Sequence, residues 1–239
     1  MKAAVQYVIP IVSLVILHSF SFAQTRNSKT VSADEYIAYS INIAENLKIF
    51  DTHKPATAFR ISLCADVPNN KKPYQVAHNQ ETGHVFLILQ QITGADTLSQ
   101  VFGFYPKKGL PTLFFKTIAS RIKDNSKREY DVEISRMISA EEFKMIESKI
   151  LLLSSKKYHI NKFNCYDYAV EIFNVIAGDN PLPLTHVRFP FIFGKGGSPC
   201  GIYKDFKKLK ESNSFWAPYI LFAIKTAPVS VARLNKKTE

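Results

Sequence analysis

The feature that most constrains the fold is a strongly apolar run at residues 85–92, with the sequence VFLILQQI. It is far shorter than the roughly 20 apolar residues that a membrane span needs. Its length and its branched side chains are typical of a strand at the centre of a sheet. A turn at 93–96 (TGAD) follows it, and residues 100–105 (QVFGFY) then return as a second strand. We therefore expect a sheet in which these neighbouring strands run antiparallel.

Composition excludes several classes of protein. The chain has 239 residues, of which 46% are hydrophobic and 21% charged, and this is too apolar for a disordered chain. Its nine glycines show no period, so collagen-like and low-complexity architectures are excluded. The length is ample for one sizeable core, and no repeat or linker divides the chain. We predict a single domain over residues 24–239 with flexible ends.

Other patterns place helices beside the sheet. Alternating apolar residues predict three more strands, at 57–65, 130–134 and 219–224. Capping residues and helical spacing predict four helices, which begin at Ser32, Ser139, Asn164 and residue 202. Residues 106–128 show no clear pattern. The expected fold class is α+β, an antiparallel sheet with packed helices.

The first residues carry the layout of a secretory signal peptide. Residues 1–23 contain a lysine near the start, an apolar run at 8–17 and a small-x-small pattern (SFA) before residue 24. The alternative is an uncleaved membrane anchor, but a glutamine, a proline and a histidine interrupt the apolar stretch. We therefore predict an exported protein, periplasmic or extracellular, with no integral membrane span after cleavage.

The charge of the chain suggests contact with anionic material. Its formal net charge is +11 at pH 7, with denser basic runs at 204–210 and 233–237. This balance favours anionic partners such as envelope polymers or lipid head groups, although a solvated basic surface is the plainer interpretation of each run. No nucleic-acid motif accompanies the charge, so no nucleic-acid partner is predicted.

The sharpest local feature is the sequence NCYDYA, which begins at Asn164. Asn164 is a good helix N-cap, and Asp167 follows three residues later, so Cys165 is predicted at the first helical position. Free backbone amides and the helix dipole at that position are expected to lower the pKa of the thiol. The same amides would stabilise an oxyanion. The alternative is that Cys165 is simply a small buried apolar residue.

A nucleophilic cysteine needs a base, and two histidines are candidates by position. His84 opens the apolar strand directly after Gly83, where a polar side chain tends to face an opening at the end of the strand. The alternative is a core histidine that is hydrogen-bonded to the backbone. His159 lies six residues before Cys165 and is the second candidate.

These motifs resemble those of the circularly permuted papain-like group, which includes permuted NlpC-type hydrolases and lecithin retinol acyltransferase-like enzymes. In that group a histidine on a strand precedes a cysteine on a helix, as His84 precedes Cys165 here. The stretch Asn164-Cys165-x-x-Tyr168 is similar to the Asn-Cys-x-x-Phe pattern of the group. The resemblance covers residues 57–178, about half of the chain.

The resemblance implies a role for each matching residue. Cys165 would be the nucleophile and His84 the base that takes its proton. A third polar residue usually orients the base from the neighbouring strand, and Tyr105 is the nearest candidate, with two glutamines behind it. Asn164 would support the oxyanion site, and His159 would assist there.

The other two cysteines suggest a disulfide. An exported protein meets an oxidising compartment. Cys64 ends a predicted strand and Cys200 lies in a Gly- and Pro-rich loop, so a Cys64–Cys200 bond would leave Cys165 free. Three pairings remain open from the sequence. No Cys-x-x-Cys or His-x-x-x-His spacing is present, so neither a metal site nor a cofactor is predicted.

The combined prediction is an exported cysteine hydrolase that cleaves amide bonds in peptides or cell-wall stem peptides through a covalent acyl-enzyme. One alternative keeps the same fold and acts on lipid acyl groups, as a hydrolase or an acyltransferase. The other is a non-catalytic binding or structural domain of the envelope, in which Cys165 and His84 are packing residues.

Overall fold

A computed structural model describes the chain over residues 38–50, 57–79, 81–107, 117–190 and 194–231. The predicted signal peptide at 1–23 and the predicted helix start at Ser32 lie outside these residues. Both stay predictions. So does the single domain over 24–239, because that range includes residues outside the described ones. The helical stripe at residues 37, 41, 44 and 47 also predicts that the helix from Ser32 continues to Leu47, and this is wrong over residues 38–42, which are not helical.

The architecture rests on an antiparallel sheet with β2 near its centre. The strands within the described residues are β1 Thr57–Asp66, β2 His84–Thr93, β3 Asp96–Pro106, β4 Ser120–Asp124, β5 Glu129–Ile138, β6 His186–Arg188, β7 Lys195–Gly197 and β8 Ile220–Thr226. Six of them form one sheet in the order β4-β3-β2-β1-β5-β8, and β6 pairs with β7. The predicted central strand and its return strand are confirmed, because β2 pairs with β1 and β3 on its two sides.

Helices complete the α+β fold, and their starts follow the capping residues. They are α1 Ile43–Leu47, α2 Ala140–Ser154, α3 Cys165–Phe173 and α4 Pro199–Glu211. The predicted starts of α2 and α3 are confirmed, with a complete capping box at each. Helix α4 begins three residues earlier than predicted, because the Ser198 side chain accepts the Gly201 N–H and Pro199 fits the first helical position.

The two faces of the large sheet differ in what covers them. Side chains alternate along a strand, so Val85 and Leu87 of β2 join the main core on the face where the helices pack. Helix α3 lies on this face against β1, β2 and β3. The other face, called the second face below, carries a smaller cluster made of Cys64, Phe86, Ile88, Val101, Tyr130 and Ala227.

The chain beyond β8 is hydrogen-bonded to β3 and β4, near the edge of the sheet opposite to β8. Ala227 packs in the cluster on the second face. The Ser230 hydroxyl accepts the Val101 N–H at 3.0 Å and donates to the Asp124 carboxylate. The Ser126 hydroxyl accepts the Ser230 N–H at 2.8 Å. This segment, residues 227–230, is called the C-terminal strap below.

No helix within the described residues has the length and apolar character needed to cross a membrane.

Candidate active site

Cys165 is the first residue of α3, and its neighbours fix the start of that helix. The Asn164 Oδ1 atom accepts the Tyr166 N–H at 2.8 Å. The Asp167 carboxylate in turn accepts the Asn164 N–H at 2.9 Å. This reciprocal pair forms a capping box, so the thiol projects from a helix start whose geometry is fixed.

The Asn164 amide also ties α3 to two distant backbone segments. Its Nδ2 group donates to the Ile160 carbonyl at 2.7 Å and to the Gly197 carbonyl at 2.9 Å. Both amide hydrogens are therefore engaged. The Asn164 side chain has no free hydrogen to donate to an oxyanion, and its support of the oxyanion site stays a prediction.

The expected fall in the pKa of the Cys165 thiol is wrong. Burial raises this pKa to about 11, although hydrogen bonds from the Val85 and Tyr166 N–H groups act in the opposite direction. The Asp167 carboxylate also raises the pKa and the Arg128 guanidinium lowers it. Burial therefore destabilises the thiolate by more free energy than the helix N-terminus stabilises it. At neutral pH the group is a thiol.

The Cys165 thiol lies next to β2, beyond the point where β2 stops pairing with β3. The pairing of β2 with β3 runs from Leu87–Phe102 to Thr93–Asp96, so Val85 lies beyond its end. The Val85 N–H is free of that ladder, and it lowers the pKa of the Cys165 thiol. Because His84 immediately precedes Val85, the thiol lies beside the peptide that carries the candidate base.

His84 is enclosed rather than facing an opening. Its residue is only 5% exposed, and its ring stacks on the Tyr105 ring with centroids 4.2 Å apart. The ring lies over Gly103, where any Cβ would overlap the His84 Nε2 atom. That Nε2 atom is buried with no hydrogen-bond partner among the described residues. Burial lowers the pKa of His84 well below its ordinary value, and Arg128 and Lys123 lower it further, so the imidazole is neutral at neutral pH.

Tyr105 contacts His84 by ring stacking, and its role in orienting the base stays a prediction. Its hydroxyl accepts the Asn125 amide at 2.6 Å and faces an Arg128 nitrogen at 3.4 Å. Arg128 also forms an ion pair with Asp66 at 2.8 Å, and both side chains are largely buried. Asp66 is the residue that pairs with His84 across β1 and β2.

Sequence reasoning missed Asn125, Arg128 and Asp66 as neighbours of the candidate base. Asn125 and Arg128 come from the segment that showed no clear pattern. The sequence NSKR at 125–128 holds a turn signal, and Lys127 adopts a positive φ of 64° there. A turn at that place joins β4 to β5 and brings both side chains to the end of β2.

Cys165 and His84 do not form a hydrogen bond. The Cys165 side chain packs against the main core, as Val85 does. The His84 ring lies on the second face, parallel to the Phe86 ring at 6.4 Å. The Cys165 thiol and the His84 imidazole therefore lie near the end of β2, on opposite faces of the sheet.

His159 is a buried residue with a structural contact. Its Nδ1 atom accepts the Asn161 N–H at 3.1 Å, and its backbone pairs with Phe163. None of the hydrogen bonds between described residues joins it to Cys165. Its assistance at an oxyanion site stays a prediction.

Cys64 and Cys200 occupy different surroundings. Cys64 is in the cluster on the second face, where burial raises the pKa of its thiol well above the ordinary value. The Cys200 sulfur lies 3.1 Å from the Ser198 hydroxyl at the start of α4. The structure has the three cysteines as free thiols, and the Cys64–Cys200 disulfide stays a prediction.

Within the described part of the chain, no group of three or more His, Cys, Asp or Glu side chains is placed to hold a metal ion. Comparison of the chain with protein-family models, with curated proteins and with solved structures finds no match in any of the three. The resemblance to the permuted papain-like group therefore stays a prediction.

Proposed function

We propose that the protein is an exported cysteine hydrolase, with Cys165 as nucleophile and His84 as base, that cleaves amide bonds in peptides or cell-wall stem peptides. The observation that carries the proposal is the setting of the Cys165 thiol. It lies at the capped start of α3, next to the Val85 N–H and beside the residue that carries the imidazole.

The protonation states suit general-base catalysis rather than a preformed ion pair. The pKa of Cys165 is raised to about 11 and that of His84 is lowered, so both groups are neutral at neutral pH. One bridging water would carry the thiol proton to His84 as the sulfur attacks the substrate carbonyl. The imidazolium would then protonate the leaving amine as the C–N bond breaks, and water would hydrolyse the thioester.

The Val85 N–H group supplies the oxyanion donor that acyl transfer requires, because it lies beyond the end of the pairing between β2 and β3. A donor fixed at a strand end needs no rearrangement when negative charge develops on the carbonyl oxygen. The Tyr166 N–H is bound by the Asn164 cap at 2.8 Å, so it holds the helix start instead. The site thus offers a nucleophile and a backbone donor at the end of β2, with a neutral base on the other face of the same strand.

The test is release of soluble fragments from purified peptidoglycan, followed by chromatography. Cys165→Ala is expected to reduce the rate by about 1,000-fold or more, because the nucleophile is lost. His84→Ala is expected to reduce it by about 100-fold or more. Cys64→Ala is the matched control, because it removes a thiol from the cluster on the second face and is expected to leave the rate unchanged. Unchanged release by Cys165→Ala, or cleavage of acyl-lipid esters alone, would contradict the proposal.

A second candidate function is a non-catalytic envelope-binding domain. The observation that favours it is the placement of Cys165 and His84 on opposite sides of the sheet, without a hydrogen bond between them. In that case both residues pack the end of β2. Incubation with a peptide thioester followed by mass spectrometry separates the two candidates, because only the hydrolase forms an acyl adduct on Cys165.

A further inference from the structure

A groove with a volume of about 580 Å³ lies between the polar loop before β2, the strand β6 and the helix α4. Apolar and aromatic groups from the loop and from β6 contribute Tyr74, Val76 and Val187 to its lining. Successive turns of α4 contribute lysine side chains on the opposite side. The groove therefore combines apolar walls with a cationic rim.

The charges around the groove do not cancel. Lys204, Lys207 and Lys208 are exposed and line it. The one carboxylate in its lining, Glu211, lies 3.8 Å from Lys207. The side-chain ammonium groups of Lys204 and Lys208 form no ion pair or hydrogen bond with any other described residue. The buried Asp205 carboxylate beneath them accepts the Thr185 hydroxyl at 2.7 Å and is not part of the lining.

The positive surface continues beyond this groove. A neighbouring hollow of about 520 Å³ shares Val76 with it and is lined by Arg188 and His78. The two hollows together follow the loop before β2. This arrangement suits an extended chain with several negative charges better than a single small ion.

The groove also adjoins the start of α3. His186 lines it, and the His186 Nε2 atom lies 3.7 Å from the Asp167 carboxylate. Asp167 belongs to the first turn of α3, two residues after Cys165. A ligand held in the groove would therefore lie beside the first turn of α3, whereas Cys165 itself is not among the residues that line the groove.

We propose that this groove binds a peptide with free carboxylates. Lysine ammonium groups attract the carboxylates and orient the peptide. The apolar walls accept the peptide backbone and its small side chains. The groove thereby selects acidic peptides over neutral ones.

The test is fluorescence anisotropy with the full-length protein and a fluorescein-labelled peptide, Ala-Glu-Glu-Ala, with Ala-Gln-Gln-Ala as its uncharged match. The double variant Lys204→Glu/Lys208→Glu reverses two charges in the groove. The control variant Lys144→Glu/Lys157→Glu makes the same change in net charge at exposed lysines outside the groove. We expect the groove variant to lose about tenfold in affinity and the control variant about twofold or less.

Three outcomes would overturn the assignment. Equal losses in the two variants would show that net charge alone attracts the peptide. Equal binding of the two peptides would show that carboxylates are not recognised. Stronger competition by inorganic polyphosphate than by unlabelled acidic peptide would assign the groove to phosphates. Repeating the measurement on Cys165→Ala separates the proposals, because that variant is expected to bind normally whether or not the protein is a hydrolase.

Discussion

Replacement of Asn164 tests how the start of α3 is held. Asn164→Ala removes one acceptor and two donor hydrogens from a residue that is only 1% exposed. The acceptor caps the Tyr166 N–H, and the donors bind the carbonyls of Ile160 and Gly197. Asn164→Ser is the matched variant, because a serine hydroxyl keeps the cap but is too short to replace both donors.

The expected losses follow from these contacts. An N-cap contributes about 1 kcal/mol to the free energy of unfolding. A buried carbonyl that loses its donor costs about 1–2 kcal/mol, and the Ile160 carbonyl, on a half-buried residue, costs somewhat less because water can reach it. Asn164→Ala should therefore lower the free energy of unfolding by about 3 kcal/mol. Asn164→Ser should lower it by about 2 kcal/mol.

The assay is urea unfolding followed by circular dichroism, with the slope of the transition compared among the three proteins. Equal slopes indicate that the variants unfold between the same states. A loss below about 1 kcal/mol for Asn164→Ala would refute the reasoning, since it would mean that the two carbonyls find other donors. Full recovery in Asn164→Ser would show that the cap alone matters.

Three other predictions concern the end of β2. Gly103→Ala should lower the free energy of unfolding by about 1–3 kcal/mol, because the new Cβ overlaps the His84 ring; a neutral result in urea unfolding would contradict the stacking. Iodoacetamide alkylation of Cys165, followed by mass spectrometry, should be about 100-fold faster at pH 9 than at pH 7. The reason is that the thiol has a pKa of about 11, so its thiolate fraction rises tenfold per pH unit. A rate that reaches a plateau near pH 7 would disprove this. Asp66→Asn should lower the free energy of unfolding by about 2 kcal/mol, because it removes the carboxylate from a largely buried ion pair with Arg128, and thermal unfolding would detect the loss.

The fold was largely readable from local patterns. Alternation of apolar residues and capping pairs are local properties, and they located β2, β3, α2 and α3 to within a few residues. The strand β4 was not readable, because it lies at the edge of the sheet and only Ile122 and Asp124 are buried in it. Edge strands with exposed polar residues lack the pattern that a core imposes.

The candidate site was less readable, because its properties depend on long-range packing. The sequence placed Cys165 at a helix start, but the sign of its pKa shift depends on burial against β2, which the helix alone does not reveal. It also placed His84 at the start of a strand. The sheet face that His84 occupies depends on the register between β2 and β3, and no local pattern at that residue fixes the register.

The C-terminal strap has a consequence for how the sheet opens. Strand β8 lies at one edge of the sheet and β4 at the other. The strap runs from the end of β8 and binds Asp124 in β4 through Ser230. Neither edge can therefore fray without breaking contacts that also hold the other edge. The two edges of the sheet are therefore expected to unfold together, as one cooperative unit, and not independently.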